Sequence, residues 1–298
     1  MSTPGLSVVI ACVNGLPIID ECLRAIQAQQ GSVRVQTVVV DCCNNGTAEH
    51  IKRGFPGVKL VKVTERLGIP ELRAIGTSHA TEDVVAIIED HCIVPDNWAE
   101  ATLRAHQPGY AAVGGAVENG SVDRIVDWAA FLCEYSHAML PIPEGEAIAI
   151  TGNNASYKRE LLNRVDESVK KSCWEFFLHE ELEKLGARFL SAPAVLVYHK
   201  KEFGYWYFMS QRFHYSRSFA AMRRSRVSQV RRLFYVLSAP LLPGLMTWRI
   251  AKQVHHKRRY YKEFFMSLPI LATFMVSYAA GEFTGYLAGP GRSLYRVE

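Results

Sequence analysis

Residues 84–91 read VVAIIEDH, five apolar residues followed by Glu89-Asp90-His91. A run that is apolar at every position, without alternation, fits a strand covered on both faces. The switch to two acids and an imidazole marks its carboxyl end. Two earlier runs have the same form. Residues 6–12 (LSVVIAC) lead to Asn14, and residues 36–41 (QTVVVD) end at Asp41, followed by CCNNGT. A further strand is expected at 58–63 (VKLVKV). Between these lie helical patterns. Pro17 opens one with Ile18, Ile19, Cys22, Leu23 and Ile26 on a face, and a second covers about 69–79. Apolar strands alternating with helices imply an α/β fold with a largely parallel sheet.

Beyond about residue 95 the pattern is less regular. Helices are expected at 121–139, 159–164 and 173–185, and strands at 147–150 and 194–198. From 203 the character turns aromatic and basic, and two apolar stretches follow at 233–248 and 264–288. The natural division is a domain over 1–200 and a helical region over 201–298. With 298 residues and 49% apolar composition, the chain is too apolar for intrinsic disorder. Seven cysteines without a CxxC pair argue against a disulfide framework or zinc ribbon and for reduced thiols.

The formal net charge of +5 hides a split. Residues 1–198 hold 17 Lys+Arg and 25 Asp+Glu, whereas residues 199–298 hold 17 Lys+Arg and 4 Asp+Glu. An acidic body therefore carries a basic tail, which points to an anionic partner, nucleic acid or membrane.

In open α/β sheets, ligands bind beyond the carboxyl ends of the strands. That is where Asn14, Asp41 and Glu89-Asp90-His91 gather. An acid at a strand end can accept hydrogen bonds from a base or ribose, and an acid/acid/imidazole cluster can hold a divalent cation. Either feature alone is commonly structural; their order along one sheet makes them informative.

The runs SVVIACVNGLPIIDECLRAIQAQ, VVVDCCNNGT, IPELRAIGTSHATEDVVAIIEDHCIVPDNW, TGNNASYKRELL and CWEFFLHEELEKLGARF together resemble the family 2 glycosyltransferases of GT-A fold, over roughly residues 6–200. The resemblance implies inverting transfer of a sugar from a nucleotide-sugar donor with Mn²⁺ or Mg²⁺. It puts Asn14 and Asp41 at the nucleotide, and Arg73 in the helix before the metal motif. Glu89, Asp90 and His91 fall on the family's D-x-D position, which binds metal and donor diphosphate. Here Glu replaces the first Asp and His the last, which puts the identity of the metal in question. The same departure keeps open a non-catalytic scaffold that binds a nucleotide sugar. Gly152, Asn153 and Asn154 resemble the loop over donor and acceptor, and His199 sits where related enzymes carry a His near the metal. Inverting transfer needs a carboxylate base. The family's acidic pair before a glycine, counted back from Gly186, falls on Trp174-Glu175, so Glu175 is the candidate, with Glu180 and Glu181 as alternatives. Arg212, Gln211 and Arg217 are candidates for the diphosphate, or else line an amphipathic helix.

The tail interleaves Phe203, Tyr205, Trp206, Tyr207 and Phe208 with Arg212, Arg217, Arg223, Arg224, Arg226, Arg231 and Arg232. Aromatics with Arg can stack on nucleic acid, but no RNP1 or GXXG signature accompanies them. With the apolar stretches alongside, an anionic membrane is the better partner. Pro240 and Pro243-Gly244 interrupt 233–248, and basic clusters flank it on both sides, favouring an interfacial or re-entrant segment. Glu282, Gly281, Gly285 and Gly289 weaken 264–288 as a crossing. Met1–Gly5 has no basic leader region; with the tail, the expectation is an enzyme associated with the cytoplasmic face of a membrane, and the tail alone suggests a lipid-linked acceptor.

Overall fold

The computed structural model describes residues 4–29, 33–106 and 109–298. They form two compact units: Met1–Gly120 with Ala138–Lys200, and Ser121–His137 with Lys201–Glu298.

In the first unit the strands are β1 (Leu6–Cys12), β2 (Val35–Asp41), β3 (Lys59–Lys62), β4 (Val84–Glu89), β5 (Cys92–Ile93), β6 (Ala112–Asn119), β7 (Gly145–Ala147), β8 (Asn154–Lys158) and β9 (Phe189–His199). Among the described residues they make one sheet in the order β3-β2-β1-β4-β8-β6-β9-β5, with β7 on β9. The first four are parallel. β8 then runs antiparallel to both β4 and β6, and β6 is parallel to β9. The α/β architecture is as expected, with an antiparallel insertion in its second half. β1, β2 and β4 are buried along nearly their whole length, which is why their sequences show no alternation. Register brings Cys12 level with Asp41 and Ala11 level with Glu89, so three strands end on one edge.

β6 and β8 were not expected, and the expected strand at 147–150 is only the end of β7. The reason lies in their composition. β6 carries Gly114 and Gly115, which are weak strand formers. A Cβ at Gly115 would lie 2.0 Å from the Val195 carbonyl and 2.1 Å from the Asn154 amide. β8 opens with Asn154, whose buried amide nitrogen donates to the carbonyls of Ala116 and Val195 at 2.9 Å each. Its oxygen accepts from the Trp98 indole at 3.3 Å. A polar residue thus does core work that periodicity cannot reveal.

The second unit contains the helices Ile125–Tyr135, Tyr205–Arg224, Gln229–Ser238, Leu242–Lys257 and Tyr261–Ala288, with a 3-10 turn at Ala239–Leu241. The segment expected as a helix at 121–139 is therefore shorter and belongs to this unit. Gly281 and Gly285 let the last helix approach Tyr205–Arg224 closely: a Cβ would lie 2.3 Å from the Phe213 carbonyl or 2.4 Å from that of Arg217. These glycines, which looked like interruptions, are contact points. Phe208 and Phe274 meet at 4.6 Å between ring centres. The stretches Gln229–Lys257 and Tyr261–Ala288 are long and apolar enough to cross a membrane by length and composition.

Candidate active site

The loop after β1 is held by one carboxylate. Asp90 Oδ2 accepts the backbone N–H of Val13 at 3.0 Å, Asn14 at 2.7 Å and Gly15 at 3.1 Å. Asp90 Oδ1 accepts from the Asn14 side-chain amide at 2.8 Å and lies 2.9 Å from His91 Nδ1. Asp90 is wholly buried. Burial opposes its ionised form, but the bonds from His91 and Asn14 outweigh this and hold its carboxyl below the ordinary range. Its oxygens are committed to the protein, so among Glu89-Asp90-His91 the middle residue organises the loop and the outer two turn towards His199.

Those outer two meet His199. Glu89 Oε2 lies 3.3 Å from His91 Nε2 and 3.6 Å from His199 Nε2, and the two imidazole nitrogens are 2.8 Å apart. The register of β5 against β9 sets Cys92 opposite His199 and so brings together residues more than a hundred positions apart. Both rings are buried. Three such donor atoms, so spaced, suit a single cation about 2.0–2.2 Å from each. His91 Nδ1 is engaged with Asp90, leaving Nε2 as the ligating atom, the usual outer-shell arrangement for a metal-binding His. Burial works against the charged forms of Glu89 and His91. Mutual hydrogen bonding outweighs it, holding Glu89 well below and His91 above their ordinary ranges.

A second carboxylate stands on the other side of Arg73. Glu175 opens the helix Glu175–Lys184 behind buried Trp174. Arg73, on the helix Ile69–Ser78, directs Nη1 to Glu175 Oε2 at 3.2 Å and Nη2 to Glu89 Oε1 at 3.5 Å. Gly152 lies against the same carboxylate, where a Cβ would be 2.5 Å from Glu175 Cδ. Of the alternatives to Glu175, Glu181 pairs with Lys184 at 2.7 Å, as expected of a helix surface.

Asp41 is wholly buried; one oxygen accepts the Cys43 N–H at 2.8 Å and the other lies 3.1 Å from the Lys62 ammonium. Lys62 also donates to the Cys43 carbonyl. It faces Asp41 across β2 and β3, a pairing of residues 21 positions apart that local sequence does not reveal. Cys12, Asp41 and Cys43 could also hold a metal by their spacing, but Lys62 already supplies the positive charge there. All seven cysteines are free. The Cys12 thiol is hydrogen-bonded to Cys43, which favours its thiolate. Burial and the carboxylates of Asp90 and Asp41 outweigh that and push it up to about 11.

The two neighbouring asparagines differ. Asn154 is saturated by the core, as described above. Asn153 is 3% exposed, yet neither atom of its side-chain amide has a partner among the described residues. β8 runs antiparallel to β4 with Asn154 opposite Ile88, and Asn153 directly precedes that strand. Arg212 lies in the second unit, buried and ion-paired with Glu134, with its guanidinium over the rings of Phe208 and Tyr215. The first unit thus brings together Asn14, Glu89, Asp90, His91 and His199, with Arg73, Glu175 and Gly152 adjoining.

The solved structure of mannosyltransferase PcManGT from Pyrobaculum calidifontis in complex with GDP-Man and Mn²⁺ resembles this chain with a TM-score of 0.59 and 20% identity, covering 95% of this chain and 88% of that one. The likeness is one of fold, the GT-A fold. A family model described as glycosyltransferase like family 2 matches residues 4–234, and the chain belongs to that family. Probable polypeptide N-acetylgalactosaminyltransferase 8 of Homo sapiens is 34% identical over 112 residues, 34% of this chain and 18% of that protein. Polypeptide N-acetylgalactosaminyltransferase 12 of Mus musculus is 25% identical over 138 residues, 43% of this chain and 23% of that protein. The matched part is thus less than a quarter of either curated relative's length.

Proposed function

We propose that the protein is a metal-dependent, inverting glycosyltransferase that moves a sugar from a nucleotide-sugar donor to an acceptor hydroxyl. The observation that carries this is the convergence of Glu89, His91 and His199 on one point, with Glu175 linked to that group through Arg73. Glu89, His91 and His199 would hold the ion, and Asp90 fixes the ring of His91 and the loop at Asn14. Two imidazoles among three ligands suit Mn²⁺ better than Mg²⁺. A bound ion supplies positive charge against the diphosphate that leaves with the nucleotide. PcManGT, of the same fold, is a protein whose structure holds a nucleotide sugar with Mn²⁺, which supports the pairing.

The chain's own groups divide the remaining work. Glu175 accepts the proton of the acceptor hydroxyl as its oxygen attacks the anomeric carbon. The single displacement inverts that carbon. The buried amide of Asn153 offers one donor and one acceptor face to sugar hydroxyls, and Asn14 and Asp41 lie at the strand ends where the nucleotide would bind. Release of nucleoside diphosphate from a panel of nucleotide sugars, with Mn²⁺ or Mg²⁺, tests the assignment. Glu175→Gln and His91→Ala should each reduce transfer to a small remainder; unchanged transfer in both would sink the catalytic assignment, and a wild-type protein that binds a nucleotide sugar without transferring it would be a scaffold instead.

The acceptor is inferred from the second unit. Between Glu202 and Glu263 the sequence has thirteen Lys+Arg and no Asp or Glu. On Gln229–Lys257, Val230, Leu233, Phe234, Leu237, Leu241, Leu245 and Trp248 are all exposed, at spacings of one, three and four that keep them on one helical face. An apolar stripe in a wholly basic setting suits the interface of an anionic leaflet. Flanking Arg and Lys at both ends favour lying in the cytoplasmic surface over crossing. A membrane-seated enzyme of this kind would take a lipid-linked acceptor, such as a polyprenyl-diphosphate sugar in glycan or polysaccharide assembly. Equal transfer to a soluble acceptor with and without lipid would remove that part of the reading.

A further inference from the structure

We infer that Gly152 and Arg73 are positioning residues that set the Glu175 carboxylate from two sides. The inference rests on the reading of Glu175 as the base. Three observations support it.

The first is steric. Gly152 has no backbone torsion that demands glycine, because its φ lies outside the positive range that L side chains avoid. What excludes a side chain there is Glu175 itself. An added Cβ would sit 2.5 Å from Cδ, 2.6 Å from Cγ and 2.9 Å from Oε2. The obstructing atoms belong to the end of a flexible side chain. Alanine at 152 would therefore be relieved by swinging the carboxylate away, with little demand on the backbone. Gly115 and Gly281 provide the contrast, since a Cβ at either meets backbone carbonyl oxygen at 2.0 or 2.3 Å, and nothing there can swing aside.

The second is electrostatic. Arg73 is a planar fork with one prong 3.2 Å from Glu175 Oε2 and the other 3.5 Å from Glu89 Oε1. Arg73 is mostly buried, its side chain 12% exposed, so little solvent screens the pair. A guanidinium can hold two carboxylates at once in a fixed relative orientation, which a lysine ammonium on a flexible stem does not reproduce. Arg73 thereby ties the base to a metal-site carboxylate that arrives from a different strand. The third is local: Glu175 begins its helix behind a Trp174 that is 3% exposed. The main chain is thus anchored and the remaining freedom is that of the side chain, which Gly152 and Arg73 confine.

A base displaced by about 1 Å costs on the order of a hundredfold in rate. Gly152→Ala should therefore lower kcat by roughly ten- to hundredfold, with the melting temperature, the Mn²⁺ affinity and the donor KM unchanged. Arg73→Met should lower kcat similarly, and Arg73→Lys should restore only part of it. The decisive measurement is a double-mutant cycle. In a Glu175→Gln background, with residual turnover as the readout, Gly152→Ala should not lower kcat further, because it acts through that carboxylate, and Arg73→Met should keep only the part of its loss that runs through Glu89. Wild-type kcat in Gly152→Ala, or a Gly152→Ala loss that multiplies in full in the Glu175→Gln background, would overturn the inference while leaving Glu175 as base. Full activity of Glu175→Gln alone would instead remove the base assignment and this inference with it.

Discussion

The two units treat buried charge in opposite ways. In the second, several buried charges are closed off where they stand. Arg212 is paired with Glu134 and roofed by Phe208 and Tyr215. Asp127 accepts the Phe203 N–H at 2.7 Å, and Lys257 donates to the His137 carbonyl at 2.7 Å. The first unit has such a pair in Asp41 and Lys62, but one group of its charges converges instead. Glu89, His91 and His199 aim their outer atoms at one point, and Arg73 is shared between two carboxylates. Closed pairs satisfy the desolvation cost of burial and do nothing else. Convergent donors could coordinate one ion together, which is why we propose that cluster as the functional site.

The sharpest way to break this comparison is to remove one member from each kind of cluster. Glu89→Ala, His91→Ala or His199→Ala should cost several kcal/mol of transition-state stabilisation, about a thousandfold in turnover. Chelation of the wild-type protein should do the same, with Mn²⁺ restoring activity. Glu134→Ala strands a buried guanidinium, and should destabilise the fold by about 3–5 kcal/mol, read by denaturant unfolding. Loss of a proposed metal ligand should cost the metal-free protein less stability than Glu134→Ala does. A ligand variant that unfolds like Glu134→Ala would mean that the convergent cluster is structural as well.

The pH dependence sharpens the same contrast by sign. The His91 imidazole is raised above its ordinary value near 6.5 by Asp90 and Glu89, against the effect of burial. In the metal-free protein a raised histidine contributes stability below its unfolded pKa, and loses it as pH rises through the folded one. Mn²⁺ needs the deprotonated ring. Its affinity should therefore rise with pH, by up to about tenfold per unit below the folded pKa, and then level off. Mn²⁺ titrations and metal-free melts across the same pH series should show opposite slopes; parallel slopes would remove His91 from the ligand set.

How much of this could be read in advance follows the same division. β1, β2 and β4 were legible because short, β-branched apolar runs bounded by polar residues fit interior strands. β6 and β8 were not, since two glycines and an asparagine hold their place through contacts with Val195, Ala116 and Trp98 that lie far along the chain. Spacing brought out Glu89-Asp90-His91 as a unit but not its internal roles. Only the folded loop shows that Asp90 spends its oxygens on the amides of residues 13–15. His199 rested on resemblance until the β5–β9 register set it beside His91. Gly152 was legible only as part of a loop resembling the one over donor and acceptor, because the carboxylate that excludes a side chain there lies 23 positions further on.

The smallest expected effect concerns the stripe that faces outward on Gln229–Lys257. Leu237 is 70% exposed and Trp248 is 59% exposed, so neither contributes much to the fold, and Leu237→Glu should leave the melting temperature within about a degree of wild type. On a leaflet the same leucine would be buried, for about 1.5–3 kcal/mol if fully so. The added carboxylate would also oppose anionic lipid in a segment that has no acid of its own. Vesicle co-sedimentation should show binding to phosphatidylglycerol-containing bilayers and little to pure phosphatidylcholine. Leu237→Glu should weaken that binding by about tenfold, and Lys252→Glu by several-fold in low salt only, since about 1 kcal/mol per basic residue is screened within a Debye length. Equal binding of wild type and Leu237→Glu would show that the stripe does not meet lipid. Self-association that Leu237→Glu abolishes would identify a second copy of the chain as what covers it.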